Sequence, residues 1–190
     1  LRHEYTLQEE NTNLIFIGVK TLYAFDLDDT LITSKSLVIV RNNTTGKTKK
    51  LNAAQYATYE PKLGDKVDFS QFDNLNDPEI IKKNFDLFSQ ILKKTVTLKN
   101  SKTIILTART PKIKSDVYSL LKSKGLPSLK IHAVESSDPM AKVNIIQQYI
   151  DSGYDRVRFY DDSPKNIQAV NAMKKENPSV NLTSKLISSH

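Results

Sequence analysis

The chain has 190 residues, long enough for one domain with a sizeable core, and its 38% hydrophobic and 26% charged residues exclude an intrinsically disordered protein. The lack of cysteine excludes a disulfide scaffold and thiolate metal sites, and no apolar run approaches a membrane span. Lys and Arg number 28 against 21 Asp and Glu, and the resulting net charge of +7 suits either a surface that attracts polyanions or phosphorylated ligands, or simply solvated helix faces.

Residues 1–20 read as an N-terminal extension. The stretch "LRHEYTLQEENTNL" has neither the basic start nor the apolar centre of a signal peptide, so a cytoplasmic location is expected. The first residue is Leu1 and not Met, which suggests attachment to a larger polypeptide. The run "TLYAF" (21–25) is a short buried strand that ends abruptly in acids. Residues 32–76 form an insertion, a small β-rich flap or cap. Within it "LVIVRNNTTGKTKKLN" reads as a hairpin turning at "NNTTGK", and "KVDFSQF" as a second extended piece. "DPEIIKKNFDLFSQILKK" is an amphipathic helix with an Asp77-Pro78 start that crosses back to the strand "TIILT" (103–107).

A helix follows with Thr110 as N-cap, Pro111 in its first position, Ile113, Val117, Leu120 and Leu121 as its apolar stripe, and Gly125 as its stop. "KIHAV" (130–134) is a weaker strand. The next helix runs from the cap Asp138 and Pro139 through Val143, Ile146 and Ile150 to Gly153. "RVRFY" (156–160) is a strand that ends in Asp161 and Asp162, and the helix after it begins at Ser163-Pro164 and carries Ile167, Val170 and Met173. Residues 176–190 read as a polar, loosely attached tail outside a domain spanning 21–175. Strands alternating with helices in this rhythm predict an α/β fold: a three-layer, Rossmann-like parallel sheet with helices on both faces.

Three of these strands end in groups that a core would not select: Asp26 with Asp28 and Thr30, Thr107 with Arg109, and Asp161 with Asp162. In an open parallel sheet the carboxyl ends share one edge, so these groups converge there. Acids gathered at one edge are costly without a cation, and hard oxygen ligands favour Mg²⁺. Taken singly the residues have plainer readings. Asp28 or Asp29 can begin a turn, Thr107 can end a strand, one of Asp161 and Asp162 can cap a helix, and Arg109 can contact phosphate or form a surface ion pair. Lys142 is different, because a lysine in the first turns of a helix opposes the macrodipole and has no local reason to be there. "NTTGKTKK" contains Gly-Lys-Thr, but the earlier glycine of a phosphate-binding loop would fall at Arg41 and no helix pattern follows, so a turn is expected. His3, His132 and His190 have no ligand-like spacing.

In chain order, "DLDDT" (Asp26, Asp28, Thr30), Thr107 at the end of "IILT", Lys142, and the Asp161-Asp162 pair in "FYDDSPKN" resemble the four motifs of the haloacid dehalogenase-like (HAD) superfamily of phosphohydrolases. The resemblance spans about 21–171. It implies Mg²⁺-dependent phosphomonoester hydrolysis through an aspartyl-phosphate on Asp26, with Asp28 as general acid and base. It further implies that Thr107 and Lys142 bind the phosphoryl group, with Arg109 as an additional substrate contact, and that Asp26, the backbone carbonyl of Asp28, Asp161 and Asp162 hold the metal. An insertion this short in such a family implies an open site and a bulky substrate: a nucleotide, a nucleic-acid end or another large phosphate. The segment "LNAAQYATYEPKLGDKVDF" is similar to one in HAD-like proteins of tailed bacteriophages, which implies an alternative, a non-catalytic module of a phage structural or assembly protein in the virion or host cytoplasm.

Overall fold

β1 (Thr21–Phe25) places Leu22 and Ala24 in one core cluster and Phe25 in another, with Tyr23 packed against the second, and this alternation sets the plan of the molecule. A strand buried on both faces requires an unbroken apolar run and partners along both edges. In the structure, a computed structural model that describes residues 18–187, β1 is the central strand. After it come β2 (Ile32–Thr33), β3 (Val38–Asn42), β4 (Thr48–Leu51), the short helix α1 (Ala53–Ala57), β5 (Asp65–Asp68) and β6 (Glu79–Ile80). The remainder alternates: α2 (Lys82–Val96), β7 (Ser101–Thr107), α3 (Lys114–Ser123), β8 (Lys130–Ala133), α4 (Pro139–Asp151), β9 (Arg156–Asp161), α5 (Pro164–Ala172) and β10 (Asn181–Leu186).

Five parallel strands form the main sheet in the order β10-β9-β1-β7-β8. Helices α2 and α3 cover one face through Phe85, Phe88, Leu92, Val117 and Leu121, packed on Phe25, Ile105 and Ile131. Helices α4 and α5 cover the other through Val143, Ile146 and Val170, packed on Leu22, Ala24, Ile104, Leu106, Val157 and Phe159. The α/β, Rossmann-like sheet with helices on both faces is therefore present. From β1 the chain builds outward to β7 and β8, then returns to the other side of β1 to build β9 and β10. The strand order thus reverses between β1 and β9, and in such sheets the crevice at the carboxyl ends of the two strands on either side of the reversal receives ligands. The register aligns Phe25 with Ile105 and with Tyr160, whose ring stacks on Phe25 at 4.3 Å. One residue further, the Asp26 amide donates to the Tyr160 carbonyl at 2.9 Å, which sets Asp26 beside Asp161.

The insertion and the segment just after it form two small sheets. β3 pairs antiparallel with β4 on one side and with β5 on the other, and the "NNTTGK" segment is the expected hairpin turn. The Asn42 side chain caps that turn by accepting from the amides of Thr44 and Thr45, and Gly46 sits at φ +68°. No phosphate-binding loop is built there. β2 pairs antiparallel with β6, Ile32 opposite Ile80.

Three expectations are corrected. The crossover helix begins at Lys82 and not at Asp77, because Glu79–Ile80 is drawn into pairing with Ile32–Thr33 and Asp77 lies at φ +43°. Thr110 precedes a 3-10 turn (Pro111–Ile113) that leads into α3, and its hydroxyl bonds Asp73 instead of capping a helix. The polar tail is attached over most of its length: Asn181–Leu186 is the edge strand β10, parallel to β9, with Leu182 and Ile187 buried. Of the N-terminal extension, residues 1–17 lie outside the described residues.

The role of β10 is checked by substitution. Leu182→Ala, at a position only 5% exposed, is expected to cost about 2–5 kcal/mol of unfolding free energy in urea, whereas Lys185→Ala on the same strand should stay within about 0.5 kcal/mol. Equal small effects would show that the segment does not belong to the folded sheet.

Candidate functional site

The "DLDDT" turn begins where β1 ends. Leu27 and Leu31 are buried beneath it, and the Leu27 carbonyl accepts from the amides of both Leu31 and Ile32, closing a tight loop. Asp29 takes φ +55° at the tip, a left-handed conformation that aspartate tolerates better than most residues. The alternation that remains sends Asp26 and Asp28 to different neighbours.

Asp26 meets Lys142. The N-cap of α4 fixes where that lysine falls: Asp138 accepts from the Met140 amide at 2.9 Å and Pro139 occupies the first turn, so the fourth residue of the helix faces inward just ahead of Val143 and Ile146. The Lys142 ammonium is 2.5 Å from Asp26 Oδ1 and 2.8 Å from Asp161 Oδ2, and all three side chains are almost wholly buried. This explains the unfavourable helix position noted in the sequence: two carboxylates at the strand ends outweigh the local dipole. Burial opposes the ammonium charge, but Asp26 and Asp161 together hold the Lys142 pKa above its ordinary value. Burial pushes the Asp26 carboxyl well above the usual carboxylate range, a shift opposed by Lys142 and reinforced by Asp161, Asp162 and Asp28.

Asp161 is fully buried and thoroughly bonded. Its Oδ1 accepts from the Ser163 amide at 2.9 Å, and Asn166 Nδ2 lies 3.0 Å from both carboxylate oxygens. Asn166, in the first turn of α5, was not picked out in the sequence; its only signal is its place three residues after the Ser163 cap. Asp162 is half-buried and accepts from the Thr30 hydroxyl at 3.4 Å, and burial, then Asp161 and Asp29, push its pKa up to about 6. Asp26, Asp161 and Asp162 each offer a carboxylate oxygen, and these atoms lie within 4.8 Å of one another. Against three carboxylates the same pocket holds one ammonium, a deficit of positive charge in a poorly solvated place. A divalent cation fits both that deficit and the all-oxygen donor set.

Arg109 is buried, unlike the surface reading of it. It is 3% exposed, so it is not a surface ion pair. Its Nε and Nη2 grip the two oxygens of Asp28 at 2.8 and 2.6 Å, Nη2 also reaches Ser34 Oγ at 2.7 Å, and Nη1 donates to the Asn74 carbonyl at 2.8 Å. All three guanidinium nitrogens thus have protein partners, among them a bidentate clamp on Asp28. Thr107 ends β7, fully buried, with its hydroxyl accepting from the Arg109 amide at 3.2 Å. Thr30 is also buried, and its carbonyl accepts from Asn84 of α2 at 2.9 Å. His132 stands apart, bonded to the Tyr149 hydroxyl at 2.9 Å, and His3 and His190 lie outside the described residues.

No protein-family model matches the chain, and no curated protein or solved structure does so either. Among the described residues no helix is long and apolar enough to cross a membrane.

The charge balance predicts the effect of removing the ammonium. Lys142→Met keeps the length of the side chain but leaves Asp26 and Asp161 buried without their counter-ion, and is expected to lower the unfolding free energy by about 3–5 kcal/mol in metal-free buffer at neutral pH. A variant as stable as the parent in chemical denaturation would mean that the three groups do not form the buried cluster.

Proposed function

We propose that this chain is a Mg²⁺-dependent phosphomonoester hydrolase of HAD type that works through an aspartyl-phosphate on Asp26. The observation that carries the reading is the convergence of Asp26, Asp161, Asp162 and Lys142 at the carboxyl ends of β1 and β9. Residues from three separate parts of the sequence meet where an open parallel sheet receives ligands, and the sequence order of those residues is that of the family motifs.

Asp26 is the nucleophile. Lys142 holds its Oδ1, which fixes the plane of the carboxylate, and the second oxygen forms the bond to phosphorus as the ester P–O bond breaks. Asp28, carrying a proton on a lone pair that Arg109 leaves free, gives it to the departing oxygen. In the second half of the reaction Asp28 takes a proton from the water that attacks phosphorus, which frees inorganic phosphate and restores Asp26. Lys142 and Thr107 meet the phosphoryl oxygens, the former with a fixed positive charge in a site shielded from water. The carboxylates of Asp26, Asp161 and Asp162 would hold Mg²⁺, and Asp28 would add only its backbone carbonyl, since its carboxylate is gripped by Arg109. When bound, Mg²⁺ supplies the charge that lets an anionic phosphate approach so many acids. The basic net charge and the small insertion favour a nucleotide, a nucleic-acid end or another bulky phosphate as substrate.

Asp26→Asn should abolish hydrolysis of p-nitrophenyl phosphate while the circular-dichroism spectrum and Tm stay near those of the parent, because a neutral amide suits this buried position. Retained turnover would overturn the mechanism. Separately, Mg²⁺ at about 100 times its Kd is expected to raise stability by about 2.7 kcal/mol, an increment that Asp161→Asn should remove. The absence of any Mg²⁺-dependent rise in Tm for the parent chain would defeat the metal assignment.

A further inference from the structure

Arg109 does more than neutralise Asp28. Its Nη1 donates to the carbonyls of Asn74 at 2.8 Å and Phe72 at 3.3 Å, and its guanidinium lies 4.8 Å from the centre of the Phe72 ring. Nη1 and Nη2 both lie 3.4 Å from Ser36 Oγ, and that hydroxyl donates to the Gln71 carbonyl at 3.0 Å. Thus one rigid planar group touches the "DLDDT" turn on one side and, on the other, the strap of the insertion that follows β5. The strap is pinned independently at both sides of this contact. Asp73 accepts from Thr110 Oγ1 at 2.8 Å and from Lys112 Nζ at 2.6 Å, and the Leu75 amide donates to Asp116 Oδ2 at 2.9 Å.

We propose that Arg109 is a positioning residue through which the docked strap Phe72–Asn74 sets the orientation of the Asp28 carboxylate. The inference rests on the reading of Asp28 as the acid of the phosphatase site. A bidentate guanidinium fixes both the direction and the plane of a carboxylate, which an ammonium cannot do. The strap carbonyls in turn help to fix the guanidinium, because its five N–H groups point in set directions in one plane. When the strap is docked, the Asp28 side chain, 21% exposed, is held open to the crevice in a single pose. When the strap lifts, Arg109 loses its carbonyl partners at Phe72 and Asn74 and the acid loses its single pose. The flap therefore acts on proton transfer and not on phosphate binding.

The test separates proton transfer from every other contribution by the choice of leaving group. An alkyl phosphomonoester needs a proton on its departing oxygen, whereas p-nitrophenolate leaves without one. The parameter is kcat/KM, which covers the steps up to formation of the phospho-enzyme and so excludes the later attack of water. Arg109→Lys is expected to lower kcat/KM for the alkyl ester by about 10²-fold and for p-nitrophenyl phosphate by about threefold or less. Asp73→Ala, which loosens the strap without touching Arg109 or Asp28, should shift the ratio of the two substrates in the same direction by about threefold or more. In an Asp28→Asn background neither substitution should change that ratio, as expected for residues acting through one group.

Equal losses on both esters in Arg109→Lys, or a ratio unmoved by Asp73→Ala, would overturn the inference. Should Arg109→Lys fail to fold, the Asp73→Ala ratio decides alone. Failure of the underlying reading looks different: Asp26→Asn would then hydrolyse both esters as well as the parent does, whereas failure of the inference alone leaves turnover dependent on Asp26.

Discussion

The crowding of carboxylates at the ends of β1 and β9 is the constraint from which the rest of the site follows. Asp26 and Asp161 are side by side because Phe25 and Tyr160 are in register, and they are buried because helices cover both faces of the sheet. Two like charges so placed cannot stand alone, and the chain answers with Lys142, projected inward from the start of α4. That arrangement requires a capped helix N-terminus in a fixed place, which Asp138 and Pro139 provide. It also requires the second strand-end acid to be tied down, which the Ser163 amide and Asn166 accomplish. Each local feature is legible as a response to the same electrostatic problem.

The two charge clusters of the edge are balanced differently. Asp28 has a full partner in Arg109, with two short bonds in one plane. Asp26, Asp161 and Asp162 share a single ammonium, and Asp162 carries a pKa raised to about 6. A protein built only for stability has little reason to leave this imbalance in its interior, because replacing buried ion pairs by apolar residues is often neutral or favourable. The imbalance fits the binding of a divalent cation.

Much of this was readable from the sequence where the signal is local. The runs "TLYAF", "TIILT" and "RVRFY" are strands because apolar stretches bounded by polar residues have few alternatives, and their terminal acids mark one sheet edge. Lys142 stood out because its helix position is unfavourable on its own terms. What could not be read depends on distant partners. β10 has little to announce it beyond Leu182 and the following Ile187, since most of its residues are polar and most are exposed. The start of α2 slipped from Asp77 to Lys82 because a two-residue pairing with Ile32–Thr33 competes with the helix. Arg109 reads as an exposed cation in any local window, and its partners appear only when the turn 81 residues before it and the strap about 35 residues before it are folded against it.

The bond between the Ile187 amide and the Asp161 carbonyl, 3.0 Å long, has a consequence for how the molecule is made. β1 is translated long before either neighbour, and the acid at the end of β9 gains its outer support only from residues that follow it by most of a helix and a strand. On the ribosome, a nascent chain that has released β9 but still holds β10 in the exit tunnel presents the carboxylates without the strand that braces them. Completion of the sheet edge beside Asp161 is therefore a late event in synthesis, delayed until Ile187 has emerged.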